Sequence, residues 1–349
     1  MSTKLANPDL CGMGVSEGLA KLRARFRELR FAEGGPAEWE AFALEIFRFQ
    51  AQHNPVYRSF CELLEVDARK ISGIWDVPFM PVEFFASHRV LAEGLMSQAS
   101  FRSSGTTGSR PSEHHVDDLA WYAEVAVAGA ERAMGPLSQF DIHAMLPGYI
   151  ERPDASLIQM VRDWMVRAEI RDPENRFHLG SLPDFTRIAT DRQLLLIGVT
   201  HALLDLAESG NVKVPANAIV METGGMKGRR REWVREAVHS FLTARLGVER
   251  IASEYGMTEM LSQAYALRDG LFEAPPWLLV NTREVDDPGA WTARGRQGRI
   301  CIADLANLHS CAFLATGDLG RLHASGFEVL GRHDHAEVRG CNLMVSDLV

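Results

Sequence analysis

Ser103-Ser104-Gly105-Thr106-Thr107-Gly108 sets four hydroxyls and two glycines side by side, and Ser109-Arg110-Pro111-Ser112 follows at once. Glycines let a backbone adopt positive φ and approach a ligand, while successive N–H groups and Ser or Thr hydroxyls can converge on phosphate oxygens. The run reads as a phosphate cradle, with an ordinary Ser/Gly surface loop as the plainer alternative that composition leaves open. The familiar loop GxxxxGK[ST] needs a lysine after its last glycine, whereas Ser109 and Arg110 stand after Gly108. That spacing argues against a nucleoside-triphosphate kinase or switch.

Further chemistry-bearing segments punctuate strand ends. Glu222-Thr223-Gly224-Gly225-Met226-Lys227-Gly228 comes directly after the apolar Ile219-Val220-Met221. Ligands of open α/β sheets gather at the carboxyl ends of strands, where paired glycines permit a flat base to lie against the backbone. A strand-to-helix turn with glycines for geometry alone fits the same text. In Ser253-Glu254-Tyr255-Gly256-Met257-Thr258-Glu259, Tyr255 offers an aromatic face, Thr258 a hydroxyl, and Glu259 a hard oxygen ligand suited to Mg²⁺ beside phosphates. Asp318 of Thr316-Gly317-Asp318 can accept two hydrogen bonds from ribose hydroxyls, although Gly-Asp is also common in hairpin turns. Gly331-Arg332-His333-Asp334 and Arg339-Gly340-Cys341-Asn342-Leu343 close the series.

Elements must hold these residues in place. With 349 residues, 46% hydrophobic and 24% charged, the chain can bury a sizeable core in one large or two smaller domains. A formal net charge of -9 leaves no general basic field, so no nucleic-acid partner is expected, and Arg229-Arg230-Arg231 reads as a solvated helix end. No apolar run reaches membrane-spanning length and the N-terminus lacks signal-peptide order, so the expectation is a cytoplasmic protein without a membrane span. The five cysteines are scattered without a CxxC pair, which favours reduced thiols; Cys301, His309 and Cys311 read as core or loop residues rather than metal ligands.

Trp39, Phe42, Ala43, Ile46 and Phe47 recur at helical spacing, and Asn54-Pro55 ends that segment. Leu119 to Met134 and Leu157 to Ala168 read as helices, the second with Leu157, Met160, Val161, Trp164 and Met165 on one face. Strand candidates lie at Ile142 to Leu146, Leu194 to Val199, Ile219 to Met221 and Arg299 to Ala303. Their alternation with helices predicts an α/β sheet architecture. The expected division is a helical segment over 1–77, an α/β core over 78–285, and a small β-rich lobe with a cysteine-bearing tail over 286–349.

SSGTTG, YGMTE, TGD and GRxD, in that order, resemble the adenylate-forming superfamily of acyl and aryl ligases. FRSSGTTGSRPSEHH, METGGMKGRRRE, SEYGMTEMLSQAY, ADLANLHSCAFLATGDLG and GRHDHAEVRGCNLM are similar to the LuxE-type acyl-protein synthetases, from about Pro78 onward. The resemblance implies an α/β domain of the adenylate-forming N-terminal type, ATP and Mg²⁺ as cofactors, and a carboxylic acid of the fatty class as substrate. It implies that Ser103, Ser104, Gly105, Thr106, Thr107 and Gly108 hold the β- and γ-phosphates. Gly224 and Gly225 would flank adenine, Tyr255 would stack on it, and Thr258 would touch the α-phosphate. Glu259 would bind Mg²⁺, Asp318 the ribose hydroxyls, and Arg332 the ribose or phosphate side.

Relatives of this kind continue past GRxD with a mobile domain of ~100 residues that supplies a lysine. Only a short tail follows Asp334 here, so no full C-terminal mobile domain is expected. Lys227 is a candidate substitute cation, with a solvated lysine at a helix start as the alternative. Cys341 is a candidate acyl carrier, because a thiolate is the nucleophile that takes acyl from an adenylate and Arg339 would lower its pKa. Packing is the alternative for an isolated cysteine, and similarity to acyl-protein synthetases, which carry acyl near the C-terminus, favours the carrier. An extended tail could move Cys341 by up to ~25 Å from Asp334.

The expected function is ATP-dependent activation of an acid, transfer to Cys341, and delivery to a partner such as an acyl reductase. Delivery to coenzyme A, a carrier-protein thiol or an amine is the alternative within the class. A non-catalytic nucleotide- or acyl-binding scaffold is the alternative outside it.

Overall fold

The computed structural model describes residues 13–103, 110–147, 154–178, 185, 191–210, 212–224 and 233–332. Helices α1 (Val15–Phe31), α2 (Pro36–His53) and α3 (Pro55–Leu63) come first. The stripe Trp39, Phe42, Ala43, Ile46 and Phe47 is the buried face of α2. Asn54 closes α2 and opens α3: its side-chain oxygen accepts the Val56 and Tyr57 N–H groups at 3.1 and 3.2 Å, and Pro55 needs no partner in the first turn.

Strand β1 (Met80–Pro81) and the short helix α4 (Phe84–Ser87) lead to an antiparallel pair, β2 (Ala99–Arg102) and β3 (Glu113–Val116), whose connection is the glycine-bearing loop. Helix α5 (Leu119–Met134) starts where the Asp118 carboxylate accepts the Ala120 and Trp121 N–H groups, and it stops at Gly135, φ +90°.

Next come β4 (Phe140–Met145), α6 (Ser156–Arg167), β5 (Gln193–Val199), α7 (Thr200–Ser209), β6 (Ile219–Thr223), α8 (Arg235–Leu246), β7 (Ile251–Tyr255) and β8 (Ala264–Ala266). They form a sheet in the order β4-β5-β6-β7-β8, parallel except for β8. Both of its faces are covered: the six residues of β4 are all buried, the polar Asp141 and His143 included, and β5 reads as a continuous apolar run from Leu194 to Val199. On α6 the buried face is Ile158, Met160, Val161, Trp164 and Met165. Leu157, expected on that face, is only partly buried: it is the second residue of the helix, in its first turn at the end of the packed stripe.

A second sheet joins distant parts of the chain. Strands β9 (Leu278–Arg283), β10 (Gln297–Asp304) and β11 (Phe313–Leu322) lie antiparallel; β1 pairs with the start of β11, and β12 (Phe327–Arg332) with its end. One apolar cluster runs from Leu19 to Phe327. At its centre Phe26 meets Trp39, Trp121 and Trp277 edge-on, with ring centroids 5.1 to 5.6 Å apart.

Candidate active site

The two sheets meet at the carboxyl end of β7, where a parallel sheet presents its ligand-facing edge. Tyr255 is the last residue of β7, and its hydroxyl donates to Asp318 Oδ2 at 2.8 Å. Asp318 sits on β11 directly opposite Arg332 of β12, whose Nε lies 3.6 Å from Asp318 Oδ1. The Asp318 N–H donates to Thr316 Oγ1 at 3.1 Å, which fixes the strand around the carboxylate. The Tyr255 ring is held at steep angles to Phe272 and Phe327, with centroids 5.8 and 5.6 Å away. Three of the expected nucleotide-site residues therefore converge.

The turn after β7 carries Thr258 and Glu259, and it is fastened from beneath. His114 of β3 places Nδ1 2.8 Å from the Thr258 carbonyl; a carbonyl only accepts, so this nitrogen holds the proton. Asn307 Nδ2 donates to the Glu259 carbonyl at 2.9 Å. Asp304, fully buried, accepts from the Leu261 N–H, the Ser262 N–H and the Ser262 hydroxyl at 2.8, 2.9 and 2.6 Å. His114, Asp304 and Asn307 were not singled out as site residues from the sequence. Their text, in SEHH and ADLANLHS, carries no spacing that points to Thr258 or Glu259.

Burial raises the Glu259 carboxyl above the ordinary range, and a hydrogen bond with the Ser112 side chain opposes this. A desolvated carboxyl with incomplete compensation suits a hard cation, which restores the lost solvation. Among the described residues there is no group of three His, Cys, Asp or Glu side chains able to hold a metal unaided, so phosphate oxygens and water would have to complete such a shell. Asp318 is likewise raised, by burial first, while the Tyr255 hydroxyl and Arg332 pull it down.

Ser103 stands at the mouth of the glycine loop. Its N–H donates to the Ser112 carbonyl at 3.0 Å, and its Oγ accepts the Ser112 N–H at 2.9 Å, so the loop ends are pinched together beside Glu259. Gly224 follows β6 with φ +65°, a conformation that favours glycine, and its carbonyl accepts the Thr200 hydroxyl at 2.6 Å. Ser104, Gly105, Thr106, Thr107, Gly108, Gly225, Lys227 and Cys341 lie outside the described residues. Burial pushes the Cys301 thiol up to about 11 and raises that of Cys311, so neither is a ready nucleophile.

The fold is that of the N-terminal domain of the adenylate-forming enzymes. A solved structure of a 2-hydroxyisobutyryl-CoA ligase, in an open conformation with 2-HIB-AMP and CoA, matches it with a TM-score of 0.59 and 15% identity, over 86% of this chain and 71% of that one. The postadenylation state of that ligase matches with a TM-score of 0.59 and 13% identity, over 85% and 68%. MatB from Rhodopseudomonas palustris is a more distant likeness, with a TM-score of 0.47, 16% identity, and coverage of 68% and 48%. No protein-family model matches the sequence, and no curated protein is similar to it in sequence. No helix among the described residues is long and apolar enough to cross a membrane.

Proposed function

We propose that this chain is an ATP- and Mg²⁺-dependent ligase that activates a carboxylic acid of the fatty class as its acyl-adenylate, passes the acyl group to Cys341, and delivers it to a partner such as an acyl reductase. The observation that carries this reading is the convergence of Tyr255, Asp318 and Arg332 beside the buried Glu259, on an adenylate-forming fold.

A carboxylate is a poor acylating agent. Its oxygen attacks the α-phosphorus of ATP, the bond to the bridging oxygen breaks, and pyrophosphate leaves with that electron pair. Tyr255 stacks its ring on adenine, which Gly224 and Gly225 flank. Asp318 accepts from the ribose hydroxyls, and Arg332 balances its charge and that of the phosphates. Thr258 donates to the α-phosphate, while the loop from Ser103 to Gly108 holds the departing pyrophosphate, with Lys227 as an additional cation. Bound at Glu259, Mg²⁺ supplies neutralisation of the charge that develops on the phosphate oxygens. The Cys341 thiolate then attacks the acyl carbon, forming a thioester and releasing AMP. The reaction is placed in the cytoplasm.

Coenzyme A as direct acceptor is the second reading, favoured by the likeness to a CoA ligase. Acid-dependent exchange of pyrophosphate into ATP tests the activation step, and its absence over a broad acid panel overturns that step. Radiolabelled acid tests the transfer: Cys341→Ser should abolish covalent labelling, and labelling at native levels would rule out self-acylation.

A further inference from the structure

On the face of β7 opposite Tyr255 lies a set of polar groups that nucleotide binding leaves unused. Side chains alternate across a strand, so Glu254 points away from the Tyr255 side. Cα register pairs Thr223 with Glu254, and Glu254 with Tyr265, which brings these three side chains to one face under α5 and α6. Tyr265 lies 6.2 Å from Trp164 of α6 between ring centroids, and a Cβ at Gly129 of α5 would sit 3.9 Å from its ring.

The Thr223 hydroxyl donates to one oxygen of Glu254. The other, Oε1, lies beside Gly256: a side chain there would come within 2.5 Å of it and within 3.2 Å of Gln263 Cγ. Gly256 is exposed and its φ is not positive, so the position uses the missing side chain rather than an unusual backbone. It stands between Tyr255 and the turn of Thr258 and Glu259, so its bare Cα leaves Glu254 Oε1 uncovered on the side of that turn.

Tyr265 and Gln263 are 2% and 5% exposed, yet among the described residues the Tyr265 hydroxyl and Gln263 Oε1 have no hydrogen-bond partner. A buried polar atom left unpaired is destabilising, and a bound polar group removes that cost. Burial, and then the nearby Glu222, push Glu254 up to about 7 against the Thr223 bond, so near neutrality the carboxyl can donate as well as accept.

We infer that the acid activated here carries a hydroxyl group on its chain, seated against Glu254, Tyr265 and Gln263, rather than being a plain saturated acid. A hydroxyl accepts from the Tyr265 O–H and donates to Gln263 Oε1, satisfying both atoms. This rests on the acid-activation reading above and narrows its substrate class.

The test compares acids of equal length with and without a hydroxyl at successive chain positions, using pyrophosphate exchange and, independently, calorimetric binding to the full chain. The best hydroxylated acid should exceed its unsubstituted twin in kcat/KM by at least about a hundredfold, since a site built for a hydroxyl rejects the analogue lacking it. Tyr265→Phe, which removes only the oxygen, should cut that ratio about tenfold and leave the KM for ATP unchanged. A merely structural role for Tyr265 would lower activity on both acids alike. Preference for the unsubstituted or an ammonium-bearing twin, or a ratio unchanged in both Tyr265→Phe and Glu254→Gln, overturns the inference. Exchange with plain acids alone sinks this inference and keeps acid activation. Exchange with no acid sinks acid activation, and calorimetry showing no hydroxyl preference then sinks the inference as well.

Discussion

Tyr255 and Glu259, four positions apart, stand in different settings because one ends a strand and the other lies in the turn beyond it. Tyr255→Phe keeps the ring but loses the bond to Asp318; the KM for ATP should rise about tenfold with kcat little changed, as measured by steady-state exchange. Glu259→Gln keeps the shape and removes the charge, so exchange should fall by about a hundredfold or more, with the Mg²⁺ requirement moved to higher concentration. Glu254 makes a prediction about pH. Its folded pKa, about 7, lies above the ordinary 4.5, so between these values the folded state holds more protons than the unfolded one. Stability therefore falls as pH rises through that window and levels above it. Glu254→Gln removes the titration, and its unfolding free energy from urea titration should gain on the parent between pH 5 and pH 8, by on the order of 2–3 kcal/mol at most.

At the scale of elements, the link between β10 and β11 decides how well the site is held. Residues 305–312 are all buried, and their backbone is satisfied by side chains from elsewhere. Gln50 of α2 donates to the Asn307 carbonyl at 2.7 Å and accepts the Ala312 N–H at 2.9 Å; Asn54 donates to the Ser310 carbonyl at 2.9 Å. Asn307 in turn holds the Glu259 and Cys311 carbonyls. Asn307→Ala strands two buried acceptors and should cost about 2–4 kcal/mol by urea unfolding, while weakening exchange through the displaced Glu259. His114 stacks on His309 of this link, and burial lowers both to about 3. Being below the ordinary 6.5, they stay neutral when folded while the unfolded chain takes up protons. The stability they contribute is complete above about pH 6.5 and is lost as pH falls toward 3.

Across the whole molecule, the N-terminal helices are part of the same core as the site. Trp277 precedes β9 and packs on Phe26 of α1 and Trp39 of α2. Trp277→Ala should cost about 3–5 kcal/mol and lower the midpoint of helix and sheet loss together, read by circular dichroism. Two separated transitions would show that the helices fold independently of the sheets.

Local signals carried much of this. Helical stripes, strand runs and caps such as Asn54 act through neighbours a few residues away, so α2, α5 and the strands β4 to β6 were legible from spacing alone. The order of the glycine loop, Tyr255 to Glu259, Asp318 and Arg332 was likewise visible as text. Only the tertiary structure decided that the Tyr255 hydroxyl meets Asp318, 63 positions away, or that His114 holds the Thr258 carbonyl from 144 positions away. Those contacts join separate sheets, β7 to β11 and β3 to the turn after β7, and packing of one sheet on another leaves no period in the sequence. The alternation of side chains placed Tyr255 and Glu254 on opposite faces, but which face meets the second sheet and which meets α5 and α6 was settled by packing.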